Sequence, residues 1–592
     1  MKHTLLYCRE TLEDHVIAAY FFNARGNILE KTPLGMLRSL LYQLLDQDCV
    51  MRERFLPKFL NRQRKGGKEW EWHIGELKDF LFTEMKRSQH KPLLLIIDAL
   101  DECNESEVRA VVSFLESLSV NAVGSNTVLN ICLSSRYYPH VSIENGLELK
   151  VEREGGHDQD IAKYVQHKLR IRNKEIEQEL LQKAEHIFMW VVLVVEILNK
   201  AFDDGEVRAM QKKLREIPSD LDEVFFALLN KDNPRKQETT LMLQWVLFAR
   251  RLLKPEELYF AVLAGTGTEV LGAWNRSNDT PETIKRFITS TSKGLVEVRK
   301  GNEETVQFIH ESVNDFLLRN RRLQTLDPIL EQYPVGASHD RLAACCMSYI
   351  MIDELEPSLM TMSNTKSKDF KELLDFNYPF LEYAVTSVLH HVDKALAGGV
   401  MQRALVQKLQ YSHNEFERLR TFHDTFREGN PWGYIKGTDL VYVVSLYSYY
   451  ELLQAILKNG ANVNVQGGQY GNALQAASSE GVIAVVALLL ENGADVNAQG
   501  GRYGNALQAA LWYGREVVAA LLLENGADAN AEGGEYGNAL QAASYEGHKE
   551  IVQQLREAGA VPLPQRDSAG QNRPIATKTR LKRKRTLSGA NS

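Results

Sequence analysis

KPLLLIIDALDEC, Lys91 to Cys103, runs five apolar residues into Asp98, Ala99, Leu100, Asp101 and Glu102. An unbroken apolar run of strand length argues burial on both faces, hence a parallel sheet covered by helices. Its C-terminal end delivers carboxylates where nucleotide-binding α/β sheets keep a Mg²⁺ ligand. Asp98 would hold the metal, directly or through water, while Asp101 or Glu102 would orient or deprotonate an attacking water. The competing reading is an acidic loop after a core strand.

The flanking sequence alternates strand and helix. HVIAAYFF, His15 to Phe22, reads as a strand, and Thr32-Pro33 then supplies an N-cap and first-turn proline for a helix carrying Leu37, Leu40, Leu41, Leu44 and Leu45. Leu77, Phe80, Leu81 and Met85 give a second helical stripe, and Val108, Val111, Val112, Phe114 and Leu115 a third. Val128 to Leu133 returns as the next strand and ends in Ser134-Ser135-Arg136. Arg136 at that tip would reach a γ-phosphate; alternatively it pairs with a neighbouring carboxylate.

No segment matches GxxxxGK[ST], the loop whose backbone N–H groups and Lys hold phosphates, and Gly66-Gly67-Lys68 lacks the preceding Gly. The reading therefore leans against an enzyme. ATP or ADP with Mg²⁺ is expected only if a phosphate loop is supplied upstream.

The chain has 592 residues, enough for roughly three to five domains. Its net charge of −7 excludes a globally polyanion-binding character. Cys8, Cys49, Cys103, Cys132, Cys345 and Cys346 have neither zinc spacing nor disulfide-scaffold density, so a reducing compartment is the default. Leu5 and Leu6 are followed at once by Arg9, Glu10, Glu13 and Asp14, which does not read as a signal peptide. The apolar run Ile187 to Val195 is too short to span a bilayer and reads as a core helix.

DALDEC, LNICLSSRYYP (Leu129 to Pro139), GLELKVE (Gly146 to Glu152) and GHDQDIAKYV (Gly156 to Val165) together resemble the NACHT-type ATPase module of fungal STAND proteins, relatives of NOD-like receptors. Phe188 to Val195 and Ile217 to Leu221 resemble the helical segment after that core. LQWVLFARRLLKPEELYFAV (Leu243 to Val262) and FIHESVNDFLL (Phe308 to Leu318) are similar to the family's winged-helix region. The resemblance implies Asp98 as the metal acid, Asp101 and Glu102 as the pair nearest hydrolysis, and Arg136 as sensor. It also implies His310 as the histidine that touches the ADP β-phosphate in closed receptors, against the reading of a core or helix-capping histidine. Met1-Lys2-His3 resembles the helix that follows the phosphate loop, so the chain reads as lacking that loop and any effector domain before it.

Further along, YGNALQAA recurs at Tyr470, Tyr503 and Tyr536, and NGA or AGA at Gly460, Gly493, Gly526 and Gly559, a period of 33. That period with paired short helices means ankyrin repeats. NALQ replaces the usual TPLH. Asn472, Asn505 and Asn538 would cap each first helix, and Gln475, Gln508 and Gln541 would bond between repeats. Function is expected at the variable positions: Gln469, Arg502 and Glu535 on the finger loops, and Ser479, Trp512 and Tyr545 at the first helix's end. Trp512, Tyr513, Tyr545 and Arg502 are the candidate partner contacts; sealing of the solenoid is the alternative.

The fold class is thus a multidomain chain. Residues 1–155 form an incomplete α/β parallel-sheet NTPase-like core and 156–235 a helical segment. A winged-helix-like region over 236–325, a helical connector over 326–436, an α-solenoid of ankyrin repeats over 437–560 and a basic disordered tail over 561–592 complete it. The expected function is a STAND-like regulatory or immune-type receptor with a degenerate or truncated nucleotide switch; the alternative is a non-enzymatic ankyrin scaffold. The partner is a protein ligand of the repeats, with self-oligomerisation a further expectation. No membrane association is expected, and nucleic acid is disfavoured because Leu243 to Leu318 carries no basic recognition helix. The location is cytoplasmic, with nuclear entry through Lys578 to Arg585 the lesser alternative.

Overall fold

The computed structural model describes residues 1–592 except 24–27, 66–71, 88–90, 104, 136–142, 144–145, 148, 150–154, 206–209, 232, 268–270, 302, 320–321, 356–366, 412, 427–437, 535–536, 547–548, 558, 562–564, 567–571 and 574–592. The sequence readings on Arg136, Glu535, Tyr536 and Lys578 to Arg585 fall outside the described residues, as does that on the Tyr545 side chain. The molecule is multidomain and mostly helical, and it divides into two compact units, Met1–His167 and Lys168–Ser592.

The first unit carries the strands expected from the apolar runs. Its order is α1 (Lys2–Thr11), β1 (Val16–Phe21), α2 (Pro33–Gln47), α3 (Cys49–Lys65), α4 (Ile74–Met85), β2 (Leu93–Asp98), α5 (Glu105–Gly124), β3 (Leu129–Leu133) and α6 (Gly155–Lys168). The strands lie β1-β2-β3, all parallel, with Val16 beside Leu93 and Leu93 beside Leu129. α2 starts as its sequence requires: Thr32 Oγ1 accepts from the Gly35 N–H, and Pro33 occupies the first turn. Val16, Ala18, Leu93, Leu95 and Ile97 face Leu37, Leu40, Phe80, Val111 and Leu115. Ile17, Ala19, Leu94 and Ile96 point the other way, toward Leu5 and Cys8 of α1 and Leu12 just beyond it. β2, between its two neighbours, is buried on both faces, and each of its leucines contributes about 2 kcal/mol of burial.

The outer edge of β1 is closed by side chains, a feature absent from the sequence reading. Gln47 accepts from the Ile17 N–H at 3.1 Å and donates to the Ile17 carbonyl at 2.8 Å, and Gln43 does the same for Ala19 at 3.0 and 2.8 Å. Residues four apart on a helix thus meet residues two apart on a strand, and the two carboxamides satisfy backbone groups that a further strand would otherwise claim.

In the second unit, helices Lys174–Lys183, Phe188–Asp203, Met210–Glu216 and Leu221–Asn230 come first. The apolar run ends in a core helix, with Trp190 buried and its Nε1 donating to the Pro218 carbonyl at 2.6 Å. No helix among the described residues is long and apolar enough to cross a membrane. Helices Lys236–Phe248, Pro255–Thr266 and Pro281–Thr291 lead into an antiparallel hairpin, Val296–Arg299 with Thr305–Phe308, and then helix Glu311–Leu318. Helices Pro334–Ile350 and Leu381–Ala397 approach so closely that a Cβ on Gly336 would stand 2.5 Å from the Gly398 carbonyl oxygen, which makes glycine obligatory there.

The C-terminal array consists of helix pairs. They are Leu440–Leu446 with Tyr450–Lys458, Ala473–Glu480 with Ile483–Glu491, Ala506–Trp512 with Glu516–Glu524, and Ala539–Glu546 with Lys549–Glu557. Asn472 and Asn505 cap their helices through the Gln475 and Gln508 N–H groups at 2.9 Å. Gln475 Nε2 donates to the carbonyls of Ala498, Gly500 and Gly504, and Gln508 Nε2 to that of Ala531. Gly504 holds φ of 91° with its absent Cβ only 2.7 Å from the Gly533 carbonyl carbon, so backbone from consecutive loops packs directly.

Candidate functional site

Two places gather the chemistry read from the sequence. The first is the tip of β2. Asp98 ends the strand half-buried, and its carboxylate accepts a hydrogen bond from the Ser134 hydroxyl. Ser134 Oγ also accepts from the Ala99 N–H at 3.1 Å, and the Ser134 carbonyl from the Leu100 N–H at 2.9 Å. This clasp carries the chain through Ala99 at φ 53°, a left-handed conformation uncommon for a residue with a Cβ, into the short turn Leu100–Glu102. Asp101 and Glu102 sit on that turn, half-buried, while Leu100 and Cys103 plug the core beneath.

Asp98, Asp101 and Glu102 are therefore brought together, but Arg136 lies outside the described residues. His310, in the other unit, is exposed and caps helix Glu311–Leu318: its Nδ1 accepts from the Ser312 N–H at 3.1 Å and lies 2.8 Å from Ser312 Oγ. Of the two forms of its competing reading, core or capping, this is the capping one. A Mg²⁺-nucleotide needs a phosphate cradle and a carboxylate at the metal. The chain's sequence has no such cradle, one Asp98 oxygen is engaged by Ser134, and no three His, Cys, Asp or Glu converge as ligands among the described residues. These residues by themselves do not make up the nucleotide site.

The second place is the aromatic surface of the array. The rings of Tyr470 and Tyr503, one repeat apart, stack at 5.7 Å. Tyr513 reaches both: its hydroxyl lies 2.9 Å from that of Tyr503 and 3.5 Å from that of Tyr470. Burial pushes the Tyr513 phenol well above its ordinary range. Trp512, half-buried, lies against Tyr503 with centroids 6.1 Å apart. The exposed Arg502 places its guanidinium 5.7 Å from the Tyr503 ring, and its backbone N–H donates to the Gln469 carbonyl. Three of the four predicted contacts, Arg502, Trp512 and Tyr513, thus meet in one patch. Tyr513 also serves the sealing role weighed against it, since its hydroxyl ties adjacent repeats.

Sequence reasoning missed Ser134, Arg515 and the tyrosine stack. Tyr470 and Tyr503 were visible as constant positions, whose aromaticity at one period is itself the signal for a ladder.

Two family models match this chain: "Nephrocystin 3, N-terminal" over residues 1–136 and "Ankyrin repeats (3 copies)" over 440–533. The C-terminal array is ankyrin, and the first unit is of the nephrocystin-3 N-terminal type. Over 300 residues the chain is also 30% identical to azaphilone pigments biosynthesis cluster protein L of Monascus ruber, spanning 47% of this chain and 60% of that protein. The combination agrees with the resemblance to fungal NACHT and ankyrin proteins. Ankyrin repeats imply protein–protein interaction.

Proposed function

We propose that the chain is a STAND-like regulatory receptor whose ankyrin array binds a protein partner and whose nephrocystin-3-type unit is a degenerate nucleotide switch. The observation that carries this reading is the patch of Arg502, Tyr503, Trp512 and Tyr513 on an array stacked through its own loops. Aromatic and Arg side chains dominate interface hot spots, and here they are prearranged by ring contacts. The three helices, hairpin and helix of 236–318 support a winged-helix control segment.

A second reading has its own support. Ser134 engages Asp98 at the strand tip, which suits a structural remnant as well as a metal site, and makes an ankyrin scaffold the alternative. Calorimetry of the full chain with Mg²⁺-ATP tests the loss of nucleotide binding that both readings assume. No binding heat at micromolar concentrations is expected for the degenerate unit. Micromolar affinity would overturn that part of the proposal and restore Asp98 as a metal ligand.

A further inference from the structure

We infer that the array's aromatic patch takes an acidic peptide segment, a carboxylate of it meeting Arg515 and a neighbouring apolar side chain covering Trp512. This rests on the reading that the array binds a protein partner, and it names the chemistry of that partner.

The argument begins with where the cations are. Between Lys458 and Lys549 the repeats carry many Asp and Glu, and Arg502 and Arg515 are the only Lys or Arg residues. Both lie on the same aromatic cluster. Arg502 sits over Tyr503, Arg515 has its guanidinium carbon 6.0 Å from the Tyr513 ring, and Tyr503 and Tyr513 are edge to face at 5.7 Å. In a body this acidic, two guanidiniums are thus gathered on one patch, with Glu480 beside Arg515.

Arg515 is exposed yet fixed. Its Nε donates to the Ser479 carbonyl of the preceding repeat at 3.0 Å, and its stem lies against Gly481. A side chain at position 481 would collide with the Arg515 Cδ, which accounts for a glycine at φ 82° there. No carboxylate among the described residues comes within ion-pair distance of Arg515, although Glu480 is close enough to feel its charge. A guanidinium held by backbone and ring loses less freedom on binding, and its planar fork matches a carboxylate in two parallel hydrogen bonds. Trp512, half-buried beside Tyr503, provides the apolar contact next to it.

Glu480 gives the inference its sharpest consequence, since it would repel the same carboxylate that Arg515 attracts. Peptides displayed from a random library would be selected on the full chain, and the enriched ones synthesised and titrated by fluorescence. The expected winners carry Asp or Glu beside Leu, Ile or Phe. Their affinity should fall roughly thirtyfold with Arg515→Glu, fall by less with Arg515→Lys, which keeps the charge but not the planar fork, and rise with Glu480→Gln, a gain that misfolding cannot produce. It should also weaken with added salt. Neutral or basic winners that depend on Trp512, or acidic winners indifferent to Arg515→Glu, would overturn the acidic inference and leave the partner reading standing. The absence of any winner sensitive to Trp512→Ala would overturn both.

Discussion

His391 is fully buried in the second unit, and its hydrogen bonds run in one direction. The Tyr383 hydroxyl accepts from the Arg250 N–H at 2.8 Å and lies 3.0 Å from His391 Nε2, while His391 Nδ1 lies 2.9 Å from His339 Nδ1. With Tyr383 donating to Nε2, the His391 proton sits on Nδ1 and is given to His339. A proton added to His339 Nδ1 would then set two donors face to face. Burial, with Lys394 near His339 and Arg250 near His390 and His391, pushes His339 and His390 down to about 4 and His391 well below its ordinary value. The rings of Trp245, Phe248 and Tyr449 close the site, and the buried Asp393 spends one oxygen on the Leu452 N–H. The sign follows: above pH about 6.5 both folded and unfolded histidines are neutral, and below it only the unfolded ones take up protons. Stability should therefore be full above pH 6.5 and fall as pH drops toward 4, each histidine contributing up to roughly a tenfold loss in the folding equilibrium per pH unit. His390→Gln should flatten that slope in melting curves between pH 7.5 and 5. An unchanged slope would mean other groups carry the acid sensitivity. Nothing in the sequence marks this cluster beyond the neighbouring His390 and His391, because His339 joins them only through the crossing of two helices.

Elements were legible where one period repeats and obscure where distant residues complete each other. β2 could be read because burial on two faces leaves an apolar run with no alternation, and the repeats because a 33-residue spacing places Asn and Gln at equivalent turns. The Gln43 and Gln47 clasp was not legible, since two glutamines on an amphipathic helix look like a solvated stripe until β1 is placed beside them. An asparagine ladder also escaped notice. Asn464, Asn497 and Asn530 each donate to the glycine carbonyl of the next NGA or AGA turn and accept from the N–H two residues beyond it. Its signal, asparagine at the same period, was present. The division between core and surface within a repeat yields a direct comparison. Leu507 is 1% exposed in the constant motif, whereas Trp512 keeps part of its ring in solvent. Leu507→Ala should cost the array about 2–5 kcal/mol in denaturant titration. Trp512→Ala should cost distinctly less; the reverse order would show that core and binding surface have been exchanged.

At the scale of the whole molecule, two compact units, Met1–His167 and Lys168–Ser592, have cores built from different kinds of contact. The first depends on non-local pairing: β2 is held by β1 and β3, which are far from it in sequence, and by helices on both faces. The array in the second is quasi-one-dimensional, each repeat resting on its neighbours through the Gln475 and Gln508 bonds. A core substitution should thus be felt mainly in its own unit. Leu95, 3% exposed at the centre of β2, packs within the first unit's main cluster. Leu95→Ala should lower one melting transition of the full chain by on the order of 5 °C or more and leave the other in place, while Leu507→Ala should lower the other alone. Scanning calorimetry of both variants beside the parent chain reads the two effects. If either substitution moves a single shared transition, the units unfold as one cooperative block, and partner binding at the array would then stabilise the β2 tip as well.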